Sequence, residues 1–298
     1  MIAAGNLNYV WGGDGHDQIF ANGDGNVIYG EAGDDAINAS GAGNYLSGGS
    51  GDDTIGSFGS YNVLAGGADN DTLNVDGNNN QVYGEAGDDT IYANGTGNYI
   101  AGGSGDDTIS GTGNFNVLGG GEGNDTLNVD GNNTQAYGEA GNDTINASGA
   151  GNYLAGGLGA DEIVVTGDYN AILGEGDDDT LVSRGTGNTI LGGTGNDVLV
   201  GGEGSETYIF NLGDGSDAIA DLGGTDVLEI RGDIADWGNF DVMATKGDDG
   251  SFLNLMFSEG SNQWGDVTID LTHGELLDTL RLGDGSELNI QDIYDGAL

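Results

Sequence analysis

The chain has 298 residues carrying 50 Asp and Glu against 4 Lys and Arg, a formal net charge of -46, with 64 Gly and neither Pro nor Cys. Such a chain offers no basic surface to phosphates or anionic headgroups, which excludes nucleic acid as a partner and excludes insertion into a membrane. The lack of Cys excludes a disulfide framework and a thiolate zinc site, and 36% hydrophobic content with this much Gly is that of a disordered polyanion unless bound cations hold the fold.

Taken in chain order, Met1 to Gly5 has neither a basic n-region nor an apolar h-region, and no later run approaches the roughly 18 apolar residues of a membrane span. From Asn8 a period of 18 begins and runs through eleven units without an insertion, from NYVWGGDGHDQIFANGDG to NTILGGTGNDVLVGGEGS, ending at Ser205. One column is Asp in every unit: Asp17, Asp35, Asp53, Asp71, Asp89, Asp107, Asp125, Asp143, Asp161, Asp179 and Asp197. Two residues later stands Ile or Leu, from Ile19 to Leu199, and a second apolar column runs from Val10 to Ile190 with Ala136 its weakest member. Short apolar-centred triplets separated by Gly-rich sextets predict two strands per coil, stacking into two parallel sheets with the two apolar columns between them.

The turn on one edge reads Gly-Gly-x-Gly-x-Asp, as in Gly48-Gly49-Ser50-Gly51-Asp52-Asp53. Stacking sets the column Asp residues one strand spacing apart, where like charges repel unless a cation lies between them. Glycines let carbonyls turn to the same point, so neighbouring loops offer an all-oxygen cage that suits calcium better than magnesium or zinc. Eleven loops define ten gaps, hence about ten ions along one edge. On the opposite edge the turn ends in Asn, from Asn8 through Asn26, Asn44 and Asn62 to Asn188, with Thr134 the exception. A neutral amide carries no charge for a metal, so this edge is expected to be an Asn ladder.

Iterated in register, Gly-Gly-x-Gly-x-Asp-x-(Leu/Ile)-x resembles the nonapeptide of the RTX (repeats-in-toxin) family over Asn8 to about Ser205. The resemblance implies an all-β fold, a right-handed parallel β-roll (a β-solenoid) of eleven 18-residue coils over 8–205. It also implies calcium ligands at the eleven Asp and at the loop glycines Gly12, Gly15, Gly30, Gly33, Gly48, Gly51, Gly66, Gly84, Gly87, Gly102, Gly105, Gly120, Gly123, Gly138, Gly141, Gly156, Gly159, Gly174, Gly192 and Gly195. The chain departs from the pattern where Glu31, Glu85, Glu139 and Glu175 replace the second Gly and where Asp69 and Asp177 replace the third, and those loops are expected to hold an ion differently. The Glu31, Glu85 and Glu139 loops recur 54 residues apart, as does TLNVDGNN at Thr72 and Thr126, the mark of a copied three-coil block.

After Ser205 the register breaks, Gly thins out, and Trp237, Phe240, Phe252, Phe257 and Trp264 appear. The segments TYIF, DVLEIR, FDVMATK, FLNLMF, DVTIDL, DTLRL and ELNIQDI read as strands, so 206–298 is expected to be a β-rich C-terminal cap over the open end of the solenoid. This region resembles the C-terminal flank of RTX proteins, which implies an uncleaved type I secretion signal and an extracellular or cell-surface location.

Catalysis finds no support. His16 and His273 are the only histidines and lie far apart, HExxH and GxSxG are absent, and Lys246, the one lysine, is in no phosphate loop. The sequence therefore reads as a non-enzymatic, secreted calcium-binding spacer that folds into a rigid rod on meeting extracellular Ca2+. The alternatives are a surface-binding module, using a flat Thr column (Thr54 to Thr144, Thr180) for ice or a Tyr-bearing face for polysaccharide, and a filament or surface-layer protein self-associating through an uncapped first coil.

Overall fold

The computed structural model describes residues 1–232, 240–259, 262–272 and 274–296, so Trp237 and His273 lie outside the described residues. The fold is an all-β parallel solenoid with about 13 turns of about 18 residues among the described residues. It divides into two units, Met1–Ser148 and Gly149–Leu298.

In the first unit, strands such as Thr54–Phe58, Thr72–Asp76 and Thr90–Asn94 pair parallel and in register at every 18th residue, Thr54 opposite Thr72 and Thr72 opposite Thr90. A second parallel sheet is built from strands such as Tyr45–Ser50, Val63–Ala68 and Gln81–Ala86. The strands are longer than the expected triplets, because the first three residues of Gly-Gly-x-Gly-x-Asp are still extended. Tyr45–Ser50 contains Gly48 and Gly49, and only Gly51 to Asp53 make the corner.

Between the sheets lie the two expected columns, Ile37, Ile55, Leu73, Ile91 and Ile109 facing Ile28, Leu46, Leu64, Val82 and Ile100, all fully buried. A third inward column went unread in the sequence. Ala39, Ser57, Val75, Ala93 and Val129 are also buried, two residues beyond each Ile or Leu on the Thr-bearing strand. These residues are small because the coil is thin: at Gly111, in the same column, even a Cβ would lie 3.0 Å from Leu118. The Thr column points outward, and on the other face Tyr9, Trp11 and Tyr29 stack in sequence at centroid distances of 6.1 and 6.4 Å, with Tyr45 tilted against Tyr29 at 5.7 Å.

In the second unit the parallel winding continues past Ser205. Thr207–Asn211 pairs parallel with Thr189–Thr194, and Ser216–Ala220 pairs parallel with Val198–Val200, so TYIF and DVLEIR are further coils of the solenoid. Antiparallel pairing begins only with Phe240–Lys246, Phe252–Glu259 and Asn262–Asp270 on one sheet and Glu287–Asn289 on the other. Here side chains grow: Phe210, Phe257 and Phe240 pack with centroids 5.5 and 6.1 Å apart. The last segment read as a strand is mixed, since Ile290–Gly296 is a short helix anchored by buried Ile290.

Candidate metal edge

Both edges of the solenoid are side-chain ladders with one geometry. On the Asn edge, the backbone N–H of Asn26 donates to Asn44 Oδ1, that of Asn44 to Asn62 Oδ1 and that of Asn62 to Asn80 Oδ1, each at 2.8 Å. The amide nitrogens then donate to turn carbonyls, Asn26 Nδ2 to Gly23 at 2.8 Å and Asn116 Nδ2 to Gly113 at 3.0 Å. Such a rung is neutral, and its amide is bonded at both ends at Asn26 and Asn116, while Asn44 Nδ2 is buried without a partner.

The Asp edge repeats the first half of this pattern. The N–H groups of Asp17, Asp35, Asp53 and Asp71 donate to Oδ1 of Asp35, Asp53, Asp71 and Asp89 at 2.7 Å, and the series continues through Asp107, Asp125 and Asp143. In the second unit, Asp161 donates to Asp179 and Asp179 to Asp197. Asp17, on the first coil, is half-buried, whereas every later Asp of the column is at most 3% exposed. The second half of the pattern fails. Oδ2 of Asp35, Asp53, Asp71, Asp89, Asp107, Asp125, Asp179 and Asp197 is buried and meets no hydrogen-bond donor. Where the Asn edge has an NH2 donating to carbonyls, the Asp edge has an anionic oxygen.

The three glycines of the motif serve two ends. The second and fourth loop positions take positive φ, as at Gly49 (+123°) and Gly51 (+107°), a region other residues adopt only with strain. Glu31, Glu85, Glu139 and Glu175 are held at φ 80–83°, and Asp69 and Asp177 at 78° and 72°, so the departures from the motif keep its backbone path. The first glycine, by contrast, makes room. A Cβ at Gly30 would run into Asp35 Oδ2 and would lie 2.6 Å from the Gly48 carbonyl oxygen; at Gly48, Gly66, Gly84, Gly102 and Gly174 it would likewise meet its own coil's Asp Oδ2 and the next coil's first-Gly carbonyl. Gly12, Gly120, Gly156 and Gly192 also stand against the Oδ2 of their own coil's Asp. Two acceptor oxygens from adjacent coils thus converge beside each such glycine.

Burial raises these carboxyls: Asp53, Asp89 and Asp125 to about 6, Asp71 and Asp107 to about 7, and Asp179 to about 8. The donated N–H of the preceding coil works against burial, and neighbouring carboxylates, Asp89 and Asp53 around Asp71 for example, add to it. A stack of buried acceptors facing acceptors costs several kcal/mol per rung unless a proton or a cation enters it. An all-oxygen cradle of one carboxylate and one carbonyl, repeated at each coil, fits a hard divalent cation.

The RTX calcium-binding nonapeptide repeat matches residues 11–41, 20–55, 62–91, 92–127, 101–136, 129–163 and 182–219, together more than half of the chain. The chain belongs to the RTX calcium-binding repeat family. No curated protein matches it significantly.

The RTX edge also extends beyond the eleven Asp read from the sequence. Asp217, 3% exposed and raised by burial to about 7, accepts the Asp197 N–H at 3.1 Å. Its loop, Gly213-Asp214-Gly215-Ser216-Asp217, keeps Gly-x-Gly-x-Asp but follows after 20 residues instead of 18, which hides it from a strict period. His16, the one described histidine, is exposed and accepts the Asp34 N–H at 2.9 Å, with the Asp34 carboxylate 3.6 Å away.

Proposed function

We propose that this RTX chain is a non-enzymatic structural module, secreted without calcium and folded outside the cell by calcium bound along its Asp edge. The observation that carries this reading is the column of buried, donor-less Oδ2 atoms, with a carbonyl of the next coil converging beside those of Asp35, Asp53, Asp71, Asp89, Asp107 and Asp179. On this reading the ligands are Asp35 to Asp197, with Asp17 at the exposed start and Asp217 at the far end, and the carbonyls of the loop glycines. Calcium bound there supplies positive charge shared between adjacent coils, joining them as the Asn amides join the other edge.

The net charge of -46 supports the same reading. Without divalent ions the anionic chain repels itself and stays extended; ions that bind only the folded state shift the balance towards the solenoid. A type I route and an extracellular or surface location belong to the same proposal, supported by RTX repeat proteins being typically secreted by type I systems. No helix among the described residues is long and apolar enough to cross a membrane.

Calcium titration of the stripped chain, followed by circular dichroism and hydrodynamic radius, tests the proposal. The expected result is an extended chain in chelator that becomes compact and β-rich with a midpoint near about 10⁻⁴ to 10⁻³ M, the range of extracellular calcium modules. Equal spectra and radii with and without calcium would overturn it.

A further inference from the structure

The Asn edge changes character in the second unit. Its rungs run Asn170 and Asn188, then Glu206, Asp226 and Asp278: the Glu206 N–H donates to Asp226 Oδ1 at 2.8 Å and the Asp226 N–H to Asp278 Oδ2 at 2.9 Å. Asp221, at the end of strand Ser216–Ala220, turns inward beside the first two carboxylate rungs. Glu206, Asp221 and Asp226 are 2%, 0% and 2% exposed, and one carboxylate oxygen from each lies within 4.8 Å of the others.

Asp221 is oriented by two donors, the buried Tyr208 hydroxyl to Oδ2 and the Gly223 N–H to Oδ1 at 2.8 Å. Glu206 is different, because both of its carboxylate oxygens are buried with no hydrogen-bond partner, and none of the ion pairs among the described residues reaches the cluster. A proton shared between Asp221 and Asp226, whose side chains bond to each other, still leaves both Glu206 carboxylate oxygens buried and without a donor. A calcium ion 2.3–2.6 Å from each ligand, by contrast, sits among oxygens separated by up to about 5 Å.

We propose that Glu206, Asp221 and Asp226 form a separate, carboxylate-only site for one hard divalent cation on the edge that otherwise carries the Asn ladder. Its Glu206 closes the loop Gly201-Gly202-Glu203-Gly204-Ser205-Glu206, in which Glu stands where the motif has Asp, and its other two carboxylates, Asp221 and Asp226, come from outside that loop. Tyr208, bonded to one of its ligands, reports on it.

The test uses the full chain. Bound calcium is counted by equilibrium dialysis for wild type, Glu206→Gln and the Asp-edge control Asp107→Asn, and terbium emission excited through tyrosine is read for wild type and Tyr208→Phe. The expected results are one ion fewer in Glu206→Gln, a lower melting temperature of that variant in calcium, and loss of most of the last-filling or first-filling step of terbium emission in Tyr208→Phe at unchanged ion count. An unchanged count in a Glu206→Gln chain that melts at the same or a higher temperature overturns the site, because removing an unpaired buried charge stabilises a protein that binds no ion there. If Glu206→Gln does not fold, unchanged emission in Tyr208→Phe overturns it instead. Should Asp107→Asn leave the count unchanged while Glu206→Gln lowers it, the Asp-edge reading fails and this one stands.

Discussion

At the scale of single residues, the two edges differ by one atom per rung. Asp107 Oδ1 already accepts the Asp89 N–H, as an Asn Oδ1 does on the other edge, so Asp107→Asn keeps the ladder bond and replaces the orphaned Oδ2 by a donor. The expected outcome is opposite in the two conditions: about 1–3 kcal/mol more stable than wild type in chelator, and fewer ions with less calcium-induced gain when calcium is added. Residual β content in chelator, read by circular dichroism, and urea melts in calcium check the two signs. Two alanine substitutions separate the duties of the motif's glycines. Gly48→Ala puts a Cβ where Asp53 Oδ2 and the Gly66 carbonyl converge, so calcium binding falls along with stability. Gly13→Ala strains a φ of +98° in open space, costing about 1–3 kcal/mol while leaving the ion count intact. Isothermal titration of the two variants distinguishes them. The Asp column and its glycines were legible in the sequence because chemistry repeated there every 18 residues. Asp217 was not, because a coil two residues longer shifts it out of phase without breaking its hydrogen bond to Asp197.

At the scale of elements, periodicity located the strands but mistook their length. Gly-Gly reads as a turn by propensity, yet Gly48 and Gly66 are extended, and they are glycine because the oxygens beside them leave no room for a side chain. The buried small-residue column at Ala39, Val75 and Ala93 was hidden for a related reason, since alanine in a strand signals little until the facing sheet shows how narrow the space is. Beyond Ser205 composition changes before topology does. Tyr208 and Phe210 are large residues, but their strand still pairs parallel with Thr189–Thr194. The switch to antiparallel pairing rests on the aromatic cluster, and Phe257, fully buried between Phe210 and Phe240, is its centre. Phe257→Ala is expected to cost about 3–5 kcal/mol in the presence of calcium, read as a fall in the melting temperature of the C-terminal unit.

At the scale of the whole molecule, protons and calcium compete for the same oxygens. In the unfolded chain the column carboxyls titrate near about 3.9, whereas burial holds those of the folded, calcium-free chain at about 6 to about 8. The folded state therefore binds more protons across this window. Its stability is fully present below about pH 4 and is lost as pH rises through the folded values. Calcium-stripped protein, extended at neutral pH, is expected to hold more β structure at pH 5 than at pH 8, with self-repulsion of the anionic chain acting in the same direction. With calcium saturating, that fall is expected to vanish or reverse, because the deprotonated carboxylate is the ligand. A stripped chain whose β content climbs over this range would contradict the burial described for Asp71 and Asp179.

The ladders also have a direction. Along the Asp edge the side chain of one coil always receives the amide of the coil before it in sequence, Asp53 from Asp35 and Asp197 from Asp179, and the Asn edge runs the same way. A coil added on the N-terminal side of a formed stack thus meets acceptors already fixed in place. One added on the C-terminal side must bring its own, freshly ordered. The backbone offers fixed carbonyls in both senses, Asp53 to the Thr72 N–H and Ser50 to the Gly33 N–H, so it is the side-chain ladders alone that favour growth from the C-terminal end towards the N-terminal end.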